Sequence, residues 1–388
     1  MGMMTTASAP GDLAGRTVLF LLTEDWYFWL HWQPLARAAR DAGAHVVIAA
    51  RMAEHHERIR AAGFEPCHIS FDRSGLNPWR DLQTFRAILS AYRKFRPHIV
   101  HHIALKPLLY GSAAAWIRHV PAVVNTMAGM GFLFVSRSAT ARILRTVVEG
   151  AMRVLNNRGN TRLVLQNDDD RVLFEKTIAV RSSQIAVIRG TGVDVEEFRP
   201  SPEPAEPAIA VFVGRMLWDK GIGELVEAAR LLKARCASLK VRLVGPTDAN
   251  PASIPQSTLE AWQAEGVVDV AGPSTDIAGE YARAHIAVLP SYREGLPRAL
   301  LEAAACGRPM VATDVPGCRE ICRDHVTGLL VPARAVEPLA DALEQLAGDA
   351  ALRQRLGRTA REVVVREFAE SVVQRETLAL YRALLDER

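Results

Sequence analysis

Residues 289–313 read LPSYREGLPRALLEAAACGRPMVAT, and the punctuation of this stretch decides the fold. The apolar run 286–289 suits a short buried strand, which Pro290 and Ser291 end. Gly295 and Pro297 mark a tight turn, with the proline fit for the first position of a helix. The helix body, 299–305, is Ala and Leu apart from Glu302, and Gly307 with Pro309 stops it before a second strand at 310–312. Strand, loop, helix, strand is one parallel βαβ unit.

Two carboxylates stand eight positions apart across this junction. Glu294 lies in the loop at the carboxyl end of a strand, where open α/β sheets bind ligands, with the amides of Gly295 and Leu296 beside it. Glu302 is an acid in an apolar helix and needs a partner, because an unpaired buried carboxylate costs several kcal/mol or takes up a proton. Helical side chains tilt toward the N-terminus, so Glu302 is expected to lean toward the mouth that Glu294 occupies. Two acids with amides between them suit a polyhydroxylated ligand that carries an anionic group. The alternative is a surface turn followed by an ordinary solvated glutamate.

The longer string EGLPRALLEAAACGRPMVATDVPGCREI, with GLLVPA at 328–333, resembles the E-x7-E signature of the retaining, nucleotide-sugar-dependent glycosyltransferases of the GT-B fold. That resemblance implies two doubly wound, Rossmann-like α/β domains facing a cleft, with a C-terminal helix that crosses back to the N-terminal domain. It implies that Glu294 contacts the transferred sugar and Glu302 the ribose hydroxyls. Gly295, Leu296 and Pro297 would then lie close to sugar and diphosphate.

A chain of 388 residues suits two domains, and 49% hydrophobic with 23% charged residues is an ordinary globular composition. The expected division is a disordered tail over 1–15, an acceptor-binding domain over 16–200, a donor-binding domain over 201–370 and a returning helix over 371–388. The apolar run 18–22 is stopped by Glu24 and Asp25, so it reads as a strand and not as a signal peptide or a membrane span. Five cysteines without a CxxC pair fit a reducing cytoplasm. Residues 1–200 carry 25 Lys and Arg against 17 Asp and Glu, hence +8, while the remainder carries 22 against 26, hence −4. The basic first half fits an anionic membrane surface, an anionic acceptor or nucleic acid, or simply a solvated arginine-rich face.

Strand-like runs at 17–22, 44–49, 67–70, 98–101, 122–125, 163–165 and 185–188 alternate with helical patterns at 33–42, 78–95, 107–118 and 139–156. The loop after the first run, DWYFWLHW at 25–32, holds no glycine, which argues against a dinucleotide oxidoreductase. Its aromatics, Trp26 among them, are either core or a lip for a sugar or a lipid tail. His101 and His102 end a strand, and Lys106 with Pro107 opens a helix, so all three are expected on the crevice rim. The competing reading is a pair of histidines satisfied in the core. Gly129 and Gly131 suggest close backbone approach to a ligand.

KPLLYG at 106–111 and AGMGFLF at 128–134 resemble motifs of the branch that adds N-acetylhexosamine or galactose to polyprenyl-diphosphate-linked acceptors in bacterial surface glycans. The resemblance implies a UDP-sugar donor, a lipid-linked saccharide acceptor and no nucleic acid. It places catalytic or acceptor roles on His101, His102, Lys106, Gly129 and Gly131, and Trp26, if it belongs to an aromatic lip, would join them at the acceptor. Arginine-rich amphipathic patterns at 78–96 and 132–158 fit contact with an anionic membrane, hence a peripheral place at the inner face of the cell membrane. NDDDR at 167–171 reads as a helix start with acids on the positive dipole end, and the family needs no metal or other cofactor.

Prolines 200, 202, 204 and 207 mark a semi-rigid linker. Beyond it, Gly214, Arg215, Lys220 and Gly221 lie between a strand at 209–213 and a helix. The spacing is not that of a P-loop, but two cations on flexible backbone at a strand end suit a diphosphate. The family resemblance makes Arg215 and Lys220 donor-phosphate ligands, with Gly214 beside them. Other activities compatible with these residues are a nucleotide-sugar epimerase of the same fold and a non-catalytic nucleotide-sugar-binding scaffold.

Overall fold

The computed structural model describes residues 12–71, 77–127, 139–248, 250 and 252–387, with backbone alone over 139–144. The chain divides into two compact units, Met1–Thr191 with Val373–Arg388, and Gly192–Val372.

The first unit holds strands β1 (Thr17–Glu24), β2 (His45–Arg51), β3 (Glu65–His68), β4 (Ile99–Ile103), β5 (Ala122–Thr126), β6 (Thr161–Leu165) and β7 (Ile185–Val187). They form one parallel sheet in the order β3-β2-β1-β4-β5-β6-β7. Both faces are covered by helices, which is why β1 is a continuous apolar run. Val18, Phe20 and Leu22 enter one apolar cluster and Leu19 and Leu21 another, as the two-residue period of a strand requires. Val373, Tyr381 and Leu384, from the C-terminal helix Glu370–Asp386, complete the first of these clusters.

The second unit holds β8 (Ala208–Val213), β9 (Leu239–Val244), β10 (Asp269–Gly272), β11 (Ile286–Leu289), β12 (Met310–Thr313) and β13 (Gly328–Val331). The order is β10-β9-β8-β11-β12-β13, again all parallel. In each sheet the winding reverses once, between β1 and β4 and between β8 and β11. At such a reversal the loops leaving the two central strands part and leave a crevice at their carboxyl ends.

Strand boundaries differ from the sequence expectation by one or two residues. The helix at the centre of the signature is Arg298–Ala305, and Pro297 caps it from outside rather than occupying its first turn. The proline run is not a loose linker. It lies within the second unit, where Arg308 donates to Ser201 and to the Pro202 carbonyl, Arg353 to Glu203 and Glu206, and Arg361 to the Phe198 carbonyl.

Candidate active site

The reversal of the second sheet brings together residues far apart in the chain. The loop after β8 ends in a 3-10 turn, Trp218–Lys220, and the loop after β11 begins at Pro290. The Tyr292 amide donates to the Asp219 carbonyl at 3.0 Å and ties the two loops. Gly221 permits this approach: its φ is +71°, and a Cβ there would lie 2.1 Å from the Pro290 oxygen. Lys220 Nζ is thereby set 2.5 Å from Glu294 Oε1, with the two side chains 23% and 12% exposed. A second glycine closes the loop from behind. Gly317 has φ +81°, and a Cβ there would lie 2.4 Å from the Gly295 oxygen and 2.9 Å from that of Glu294. Cys318 follows it, its thiol pushed up by burial and by the neighbouring Glu294 charge.

Arg215, on the same loop as Lys220, pairs with Asp248 at 2.9 Å across the ends of β8 and β9. Glu302 has the partner its burial demands: Arg298 Nε donates to its Oε1 at 2.7 Å, one helical turn earlier. Burial pushes the Glu302 carboxyl up, and the Arg298 charge opposes that. Among the described interactions, no direct bond joins Glu302 to Glu294. Gly214 spends its amide on the Val244 carbonyl, Leu296 packs against the apolar core, and Pro297 is buried. Sequence reading did not single out Asp248, whose only signal was a turn after a strand, and gave no role to Gly317, although it lies within the quoted signature.

The first unit departs from expectation. His101 and His102 do not rim a crevice but are buried, on opposite faces of β4. His101 is hydrogen-bonded to Tyr381 Oη at 2.6 Å and Thr126 Oγ1 at 2.7 Å, and His102 to Tyr92 Oη and Asn125 Oδ1, both at 2.7 Å. Burial pushes their imidazoles down to about 3 and about 4, so both are neutral near pH 7. The physical reason is that β4 is central and covered on both sides. The chain reaches the sheet edge only at Ala104, with φ +80°. With both ring nitrogens engaged, neither histidine is placed for the catalytic or acceptor-binding role expected of it.

Lys106, in the first turn of the helix Leu105–Ile117, pairs with Asp81 at 3.2 Å. Of the aromatics after β1, Phe28 and Trp32 are core, while Trp26 is 40% exposed. Gly129 and Gly131 lie outside the described residues. In NDDDR, Asn167 caps the helix Asp168–Leu173 by accepting from the Asp170 amide at 2.7 Å, as a helix start should.

Two family models match the chain: "Glycosyl transferase 4-like" over residues 17–167 and "Glycosyl transferases group 1" over 207–349. The chain is 25% identical over 361 residues to the N,N'-diacetylbacillosaminyl-diphospho-undecaprenol alpha-1,3-N-acetylgalactosaminyltransferase of Campylobacter jejuni, covering 90% of this chain and 93% of that one. It is 22% identical to the capsular polysaccharide biosynthesis glycosyltransferase CapM of Staphylococcus aureus, over 83% and 86% of the two chains. In fold it is similar to Anabaena HepE, solved with UDP and glucose, with a TM-score of 0.75 and 17% identity over 95% of this chain and all of that one. Two parallel Rossmann-like sheets, an acid and a lysine paired at the reversal of the second, and these matches together make the chain a glycosyltransferase of the group 1 family with the GT-B fold, a relative of enzymes of glycan biosynthesis.

Proposed function

We propose that the enzyme transfers an N-acetylhexosamine or galactose from a UDP-sugar, with retention at the anomeric carbon, to a saccharide carried on a polyprenyl diphosphate during surface glycan synthesis. The observation that carries this reading is the Lys220–Glu294 pair at the crevice of the second sheet, with Arg215 on the same loop. In this reading the second unit binds the donor and the first the acceptor. Lys220 and Arg215 neutralise the diphosphate as it departs, and Glu294 orients the sugar. Glu302, held by Arg298, takes the ribose hydroxyls. The sugar passes through an oxocarbenium-like state, and the acceptor hydroxyl attacks the face the diphosphate leaves, handing its proton to the leaving phosphate. This route to retention needs no covalent nucleophile from the enzyme. The lipid-linked substrate of the Campylobacter relative and the UDP and glucose of HepE support the choice of acceptor and donor.

The test is a thermal-shift panel of UDP-, GDP- and dTDP-sugars, followed by product analysis with a short polyprenyl-diphosphate saccharide and NMR assignment of the new linkage. A shift confined to UDP-sugars and an axial-to-axial transfer are expected. Conversion of the nucleotide sugar without acceptor would identify an epimerase instead, and a shift without turnover a binding scaffold.

Gly317→Ala is expected to lower kcat/KM for the donor by about 10-fold or more. A left-handed alanine costs on the order of 1–3 kcal/mol, and relief of that strain moves the Glu294–Gly295 backbone. Kinetics at varied donor, alongside an unchanged circular dichroism spectrum, check this.

Peripheral attachment to the inner membrane face is part of the same proposal. No helix among the described residues is long and apolar enough to cross a membrane. The helix Pro78–Phe95 carries exposed Trp79, Arg80, Arg86 and Arg93. Co-sedimentation with phosphatidylglycerol liposomes at low salt is expected, and its absence would remove the attachment.

A further inference from the structure

At the carboxyl end of β1, beside the reversal of the first sheet, three buried polar atoms lack a hydrogen-bond partner: Glu24 Oε1, Asp25 Oδ1 and His55 Nδ1. Buried polar groups are nearly always satisfied, so three on neighbouring loops call for an explanation. Two of the three side chains are half committed to the fold. Glu24 Oε2 accepts from Arg51 Nε at 2.9 Å and Nη2 at 2.8 Å. Asp25 Oδ2 accepts the amides of Ala53, Glu54 and His55 at 2.7, 3.0 and 2.9 Å, and so pins the loop after β2. Burial alone would raise the Asp25 carboxyl, but these amides outweigh it and hold the group below its usual range, as a carboxylate.

Two of these atoms approach each other. His55 Nδ1 stands 4.0 Å from Asp25 Oδ1, about 1 Å beyond a hydrogen bond. The imidazole side chain is 15% exposed, and the Trp29 ring lies beside it with centroids 5.9 Å apart. Such acid–imidazole pairs are often long in the unliganded enzyme and tighten when substrate arrives.

The unsatisfied set is two acceptors and an imidazole able to donate or accept. An anionic ligand would meet two carboxylates. A metal ion does not fit, since no three His, Cys, Asp or Glu side chains among the described residues are arranged to hold one. A ligand whose groups both donate and accept, beside an aromatic ring, fits: a hydroxylated sugar.

We propose that Glu24, Asp25 and His55, with Trp29, form a subsite for a sugar ring of the acceptor, in which His55 contacts a hydroxyl and Asp25 is the positioning residue that orients the imidazole. The assignment of that sugar to the acceptor rests on the function proposed above, but the existence of the subsite does not. Saturation-transfer NMR with methyl N-acetylgalactosaminide and methyl galactoside tests it without reference to turnover. Saturation of a glycoside by the wild type, lost in His55→Ala, is expected, and no saturation with the wild type overturns the subsite. Glycoside binding without any transfer to a lipid-linked saccharide would leave the subsite standing and sink the proposed function. In kinetics, His55→Gln is expected to raise the acceptor KM about 10- to 100-fold, while the donor KM and the UDP-sugar thermal shift stay as in wild type. Asp25→Asn, which keeps an oxygen for the three amides, is expected to raise the acceptor KM in the same direction by a smaller factor. Loss of Tm in either variant with an unchanged acceptor KM would show that the corner only holds the loop, and would overturn the proposal.

Discussion

Lys220→Met is expected to reduce kcat by about 100- to 1,000-fold, the usual effect of removing one preorganised group that stabilises charge developing in a transition state. The same substitution strands Glu294, which is 12% exposed and 2.5 Å from the ammonium it would lose. A stability loss of about 1–3 kcal/mol is therefore expected alongside the kinetic one, since a largely buried charge is left without its partner. The two effects separate in a double-variant cycle. Adding Glu294→Gln to Lys220→Met removes the stranded charge and is expected to restore Tm, while activity stays at or below that of the single variant. Recovery of activity together with Tm would mean that the pair is a structural clip and that the chemistry lies elsewhere.

The second large effect is acid sensitivity of the first unit. His101 and His102 titrate at about 3 and about 4 in the folded protein, driven down chiefly by burial, against an ordinary imidazole near 6.5. Between those limits the unfolded chain binds protons that the folded chain refuses, so stability is complete above pH 6.5 and falls as pH drops toward 4. By pH 5 each histidine is expected to cost about 2 kcal/mol, a large share of the 5–15 kcal/mol typical of a domain. Melting followed by calorimetry at pH 7.5 and pH 5.0 checks this. His102→Gln should flatten the dependence, and a Tm that does not move between the two pH values would contradict it.

How much of this was legible depends on how local each feature is. The strands β11 and β12 and the helix between them were readable because continuous apolar runs and glycine or proline stops are local signals. The need of Glu302 for a partner was readable too, and Arg298 stands four positions before it. The meeting of Lys220 with Glu294 was not written locally, because 74 residues of crossover separate them. Only the motif resemblance put them at one ligand. The histidines were misplaced because a strand-end rule takes the last strand residues as crevice residues. Here the covering of β4 extends over both, and one partner, Tyr381, comes 280 residues later. Likewise, a proline-rich run reads as a spacer until the arginines that hold it, at 308, 353 and 361, are seen beside it.

That late tyrosine bears on how the protein is made. The cluster around Phe20 and His101 is finished by Val373, Tyr381 and Leu384, so the nascent first unit leaves the ribosome with a gap in its interior and keeps it while all of the second unit is translated. The second unit, drawn from one uninterrupted segment, is complete earlier. The half that emerges first is thus the last to have its whole apolar interior available.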